Sequence, residues 1–236
     1  MDTKRVAILV DNYFEQSEFE EPLETLRDAG LDVVVVATQS KELQALVHAD
    51  KGDTFEADML LADVTPDEFD ALVLPGGVVN ADKLRMVEPA KQWVRDFLEG
   101  GKLVAAICHA PWLLVSADEV QGRKLTSYFT IQDDIDNAGG EWIDQPVVVD
   151  ENLITSRKPD DIPSFSEAIL TALMVNVTED EEESEDEVRL HGLGYDKKRD
   201  ELTDKDEEDI LGDTDDDPDA TRLSRATSKD EQDGTQ

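Results

Sequence analysis

GKLVAAICHAPWLL, Gly101 to Leu114, joins two apolar stretches of different period at Cys108-His109. Leu103, Val104, Ala105, Ala106 and Ile107 follow Gly100-Gly101 and read as a strand buried on both faces. Pro111 suits the first turn of a helix, where its missing N–H costs no hydrogen bond. A strand that turns directly into a helix with a nucleophilic residue at the junction has the form of a nucleophile elbow. Such an elbow exposes the side chain at the carboxyl edge of a sheet and aims helix N-terminal amides at it.

Cys108 is the one cysteine of the chain, so an intramolecular disulfide is excluded. Two readings stand: a small hydrophobe packed in the core, or a reactive thiol. The elbow position favours the second, because a helix N-terminus stabilises the thiolate that attacks electrophiles.

Outward from the elbow, the chain alternates strand and helix. Arg5 to Val10 reads as a first buried strand and Leu31 to Ala37 as a second. Between them Phe19, Leu23 and Leu26 form one stripe of a helix from Glu18 to Ala29, stopped by Gly30. A strand, helix and strand with short connections make a right-handed parallel crossover. Lys51-Gly52-Asp53 marks a turn between short strands, and Thr65-Pro66-Asp67-Glu68 a helix start. Asp70 to Leu74 returns to strand and ends in Pro75-Gly76-Gly77, a sharp turn followed by a loop over Val78 to Arg85. Val87 to Leu98 has helical spacing, and Ile131 to Ala138 reads as a short helix. Val147 to Val149 and Leu153 to Thr155 form a hairpin, and a last helix runs from about Pro163 to Val177. The expectation is an α/β layered domain over residues 1–177, with a mostly parallel sheet and helices on both faces. Residues 178–236 are rich in acid, lack apolar periodicity and read as a disordered tail.

AICHAP after ALVLPGG (Ala71 to Gly77), an early NYFEQSEFEEP and a later NAGGEW together resemble the DJ-1/PfpI family of the class I glutamine amidotransferase-like superfamily. The resemblance spans about the first three quarters of the chain and implies a flavodoxin-like sandwich. It implies a cysteine-dependent hydrolase, acting on α-oxoaldehydes and their early protein adducts or, alternatively, on peptides. A non-catalytic redox-sensing or chaperone-like protein is the reading from another class. The motif places an acid partner for Cys108 at Glu15; without the motif, Glu15 reads as one more exposed acid of an acidic protein. The resemblance assigns oxyanion-binding backbone amides to Gly77 and His109. It implies that His109 is oriented by an acid of a neighbouring subunit, for which Asp82 is the candidate, and hence a homo-oligomer, a dimer or larger ring. Glutamine amidotransferases take a histidine from late in the domain, and none occurs between His109 and the tail. No cofactor or metal is implied, since His48 and His191 lack companions at zinc spacing.

A formal net charge of −36 on 236 residues argues against nucleic acid and anionic membranes as partners. No apolar signal region or membrane-spanning run occurs, so a cytoplasmic location is expected. Acids are spread through the patterned segments as well as the tail, which reads as adaptation to a salty cytoplasm; acidic tails for basic partners are the alternative. The melting temperature is expected to rise from low to molar potassium chloride as carboxylate repulsion is screened. A flat or falling melting temperature in differential scanning fluorimetry refutes that reading.

Overall fold

The structure, a computed structural model, describes residues 3–179. The chain begins with β1 (Arg5–Val10), α1 (Gln16–Asp28) and β2 (Asp32–Ala37), the crossover expected from the sequence. A hairpin of β3 (Glu42–Val47) and β4 (Asp50–Glu56) follows, then the short β5 (Met59–Leu60) and β6 (Ala71–Leu74). Next come α2 (Val78–Leu84), α3 (Glu88–Glu99), β7 (Leu103–Ile107) and α4 (Pro111–Ser116). The described chain closes with β8 (Lys124–Leu125), α5 (Gln132–Asn137), β9 (Glu141–Trp142), β10 (Val147–Asp150), β11 (Leu153–Ser156) and α6 (Ile162–Glu179). The helix α6 thus passes the expected start of the tail at residue 178, and the rest of that tail lies outside the described residues.

Seven strands form one sheet in the order β10-β11-β7-β6-β1-β2-β5, parallel except for β10, which pairs antiparallel with β11. The central strands are apolar on both faces because helices cover both. Val6, Ile8 and Val10 of β1 pack with Phe19, Leu23 and Leu26 of α1 and with Phe165, Ile169 and Leu173 of α6. Ala7 and Leu9, one residue out of phase, pack in a second core with Trp93, Val94 and Phe97 of α3, Leu113 and Leu114 of α4, and Ile135 of α5. The flavodoxin-like sandwich expected from the sequence is the observed architecture.

The topology fixes where function resides. From β1 the chain order runs outward to β2 on one side, and later strands build the other side through β6 and β7. The switch point therefore lies between β1 and β6, and the loops leaving the carboxyl ends of β1, β6 and β7 converge there.

Two expectations about loops are corrected. The β3–β4 hairpin turns at His48-Ala49, with His48 at φ 57°, rather than at Lys51-Gly52-Asp53. Gly52 lies inside β4, where an added Cβ would collide with the Gln16 side-chain oxygen; it is a close-approach glycine, and periodicity does not separate the two uses. The segment after Gly77, expected as a loop, is the helix α2, with Asn80, Ala81 and Leu84 on its buried side.

Trp93 is 5% exposed and packs between Phe69 and Phe97, with ring centroids 5.8 and 5.9 Å away. Trp93→Ala is expected to cost about 3–5 kcal/mol, measured by urea unfolding, without disturbing the opposite face of the sheet.

Candidate active site

Cys108 follows β7 with φ 63°, a left-handed conformation that L-residues adopt only when their surroundings hold it. The surroundings do so from both sides: its N–H donates to the Ser156 carbonyl at 3.0 Å, and its carbonyl accepts from Tyr128 N–H at 2.8 Å. The elbow expected from the sequence is therefore present. Its helix, however, is only six residues long, so local amides rather than an extended helix dipole face the sulfur. The backbone amides of Gly77 and His109, which the resemblance gives as oxyanion donors, lie near Sγ and act to lower the thiol pKa.

The acid beside the thiol is Glu18, not Glu15. The Glu15 side chain instead accepts from His48 N–H, with its two oxygens at 3.0 and 3.3 Å, and Glu15 caps the start of α1 from the β3 side. Three residues further, Glu18 is fully buried and faces the Cys108 thiol and the Gly76 amide. A Cβ on Gly76 would collide with the Glu18 carboxyl and the Cys108 Cβ together, so the three groups meet where only glycine fits. The sequence did carry a signal. Glu18, Phe19, Pro22, Leu23 and Leu26 are the buried residues of α1, and their spacing puts Glu18 in phase with the apolar stripe.

Burial pushes the Glu18 carboxyl up to about 8, and the nearby charge of Glu15 pushes in the same direction. The Cys108 thiol and the Gly76 amide act the other way, but burial outweighs them. Burial also pushes the Cys108 thiol up, as does a charged Glu18, against the two amides that pull it down. A protonated Glu18 reverses its own contribution, because it then offers a hydrogen bond to sulfur instead of a negative charge.

His109 is 7% exposed, and its Nδ1 lies 3.2 Å from Sγ. Its Nε2 meets the Thr130 hydroxyl at 3.2 Å, and its ring stacks on Tyr128 with centroids 4.8 Å apart. Burial lowers the imidazole pKa, so the ring is neutral at pH 7, with one ring nitrogen against sulfur. Thr130 and Tyr128 were not foreseen; they come from the stretch after β8, which carries no motif. Asp82 is exposed on α2, and within one chain His109 takes Thr130 as its ring partner. Among the described residues, no three His, Cys, Asp or Glu side chains gather in a manner suited to a metal ion.

Residues 4–172 match the DJ-1/PfpI family. Protein/nucleic acid deglycase 2 of Escherichia coli is 44% identical over 173 residues, 72% of this chain and 98% of that protein. Deglycase PfpI of Pyrococcus furiosus is 40% identical over 158 residues, 67% of this chain and 92% of that one. Among solved structures, Drosophila melanogaster DJ-1beta superposes with a TM-score of 0.66 at 30% identity, covering 71% of this chain and 89% of that one. The chain belongs to the DJ-1/PfpI family.

The raised Glu18 pKa has a stability consequence of definite sign. The folded protein holds this proton more tightly than the unfolded chain, so the contribution is complete below about pH 4.5 and is lost as pH rises through about 8. Glu18→Gln removes the ionisation. The melting temperature of the variant is expected to gain on that of the parent between pH 5 and 9; a constant difference across that range contradicts the buried-acid assignment.

Proposed function

We propose that the protein is a cysteine-dependent hydrolase of reactive carbonyls, with Cys108 as nucleophile, His109 as proton carrier and Glu18 as the acid that steadies sulfur. The observation that carries this reading is a thiol only 7% exposed, set between a neutral imidazole and a buried carboxyl. A small α-oxoaldehyde suits so enclosed a sulfur better than an extended peptide, which needs an open groove. Relatives named as deglycases support the same class.

In this reading the thiol proton passes to His109 Nδ1, and the sulfur lone pair forms a C–S bond to the aldehyde carbon. The carbonyl electron pair moves to oxygen, which is protonated to give a hemithioacetal, with the Gly77 and His109 amides beside the developing charge. Removal of the remaining aldehyde hydrogen as a proton, with protonation of the keto oxygen, gives an enediol; protonation of the former keto carbon and loss of the hydroxyl proton on the sulfur-bearing carbon then give a 2-hydroxyacyl thioester. Water then breaks the C–S bond, releasing the 2-hydroxy acid and restoring the thiol. Water is the sole co-reactant, because one carbon is oxidised while its neighbour is reduced. An early amine adduct of the aldehyde enters the same route by losing its amine to the thiol.

Asp82, being exposed, is available to a second copy of the chain, and a dimer or larger ring is the assembly this reading expects. Methylglyoxal incubated with the protein in molar potassium chloride is expected to yield lactate, with Cys108→Ala at the uncatalysed rate. Equal lactate from both proteins sinks the carbonyl reading. Peptide cleavage by the parent under the same conditions supports the peptidase, and loss of thiol to peroxide without any turnover supports the redox sensor.

A further inference from the structure

The loops after β1 and β6 are fastened together by side chains that the chemistry above does not use. Asn80 of α2 is fully buried and makes three hydrogen bonds. Its Oδ1 accepts from Asp11 N–H at 2.7 Å, and its Nδ2 donates to the Pro75 and Gly76 carbonyls at 2.9 and 3.1 Å. Asp11 is in turn gripped: its carboxylate accepts from Asn12 N–H at 2.6 Å, from the Thr38 hydroxyl and from Lys83 Nζ at 2.9 Å. Burial works to raise the Asp11 carboxyl, but Thr38 and Lys83 outweigh it and hold the group ionised. Lys83, one turn along α2 from Asn80, ties the helix to β1 a second time.

The fastening matters because of what each loop carries. The β1 loop leads into α1 and so sets the position of Glu18. The β6 turn carries Gly76, which faces Glu18, and Gly77, whose amide faces sulfur at φ 88°. A Cβ on Gly77 would press on the Glu15 amide and on Phe14, so the two loops already touch there. A peptide turn with a glycine on each side of the Gly76–Gly77 bond is free to rotate unless its carbonyls are held. Asn80 holds the two carbonyls that precede the Gly77 amide.

We propose that Asn80, braced by the Asp11–Lys83 pair, is a positioning residue that fixes the Gly77 amide on the Cys108 sulfur and thereby sets the reactivity of the thiolate. The proposal rests on Cys108 being the nucleophile but needs no particular substrate. The titratable groups that face the sulfur are Glu18 from α1 and His109 from the elbow, with Glu15 acting on Glu18 from behind. Asp11 and Lys83 lie across the Gly76–Gly77 turn.

The chain has one cysteine, so iodoacetamide alkylation reports on this thiol alone. The rate is measured from pH 5 to 10 on the full-length protein and on Asn80→Ala, with Trp93→Ala as a destabilised control on the other face of the sheet. Loss of one amide donor is expected to move the Asn80→Ala profile up by about one pH unit. That makes alkylation about tenfold slower at a given pH below the inflection. The Trp93→Ala profile stays with the parent. If Asn80→Ala does not fold, Lys83→Met, at a half-exposed position, carries the test and is expected to shift the profile in the same direction by a smaller amount. A profile that coincides with the parent's in the variant carrying the test, or a shift of equal size in Trp93→Ala, overturns the proposal. Failure of methylglyoxal turnover with a shifted alkylation profile instead counts against the substrate reading and leaves the positioning role standing.

Discussion

A buried carboxyl and a buried thiol occupy one space next to Gly76, and the rest of the site is arranged around that contact. Two acids so enclosed cannot both ionise without placing like charges together in a medium that solvates neither. One proton is therefore retained, and where it resides decides whether sulfur is a nucleophile. In the proposed reaction the neutral Glu18 with a thiolate is the working arrangement, and the Gly77 and His109 amides act toward it by interacting with charge on sulfur. These groups come from three stretches of chain, those that follow β1, β6 and β7. Only a parallel sheet that delivers the carboxyl ends of β1, β6 and β7 to one edge brings them within reach.

The arrangement opposes stability, and the fold holds it by local over-determination. Glu18 is a fully buried carboxyl, and Cys108 sits in a conformation that costs a non-glycine residue about 1–3 kcal/mol. Against this, the elbow is fixed through Ser156 and Tyr128, the glycine turn through Asn80, and the β1 loop through Asp11. Apolar packing on both faces of the sheet supplies the surplus that permits such a site.

The parts of the molecule read correctly from sequence are those that depend on local pattern. The valine-rich and leucine-rich runs of β1, β2 and β7 could only be strands covered on both faces, and the elbow announced itself where the period changed at Cys108. Glu15 was assigned by its place in a motif, whereas the acid that reaches sulfur is chosen by helical phase. Glu15 precedes α1 in extended backbone and turns to the hairpin, whereas Glu18 lies inside the helix beside the apolar stripe that begins at Phe19, which already contained that information. Asn80 shows the same property, in phase with Ala81 and Leu84, but the glycine turn before it masked the short helix α2. Thr130 and Tyr128 had no such trace. They reach His109 through tertiary packing of an irregular segment, and nothing in their spacing encodes it.

The charge of the whole chain and the charge at its site run in opposite directions, and the difference has a physical reason. A net charge of −36 surrounds the molecule with a potential that disfavours any further anion, and a thiolate is a further anion. Near the sulfur, however, Glu18 is protonated at neutral pH, His109 is neutral and Asp11 is matched by Lys83. The charge of Glu15 acts on Glu18 and helps to keep the proton there. The acidic field thus reinforces the one protonation that thiolate formation requires. Screening by salt weakens the long-range field but leaves the buried contacts at Gly76, Gly77 and His109 nearly untouched. The surface can therefore be densely acidic while the reactive sulfur responds to the few neutral groups that touch it.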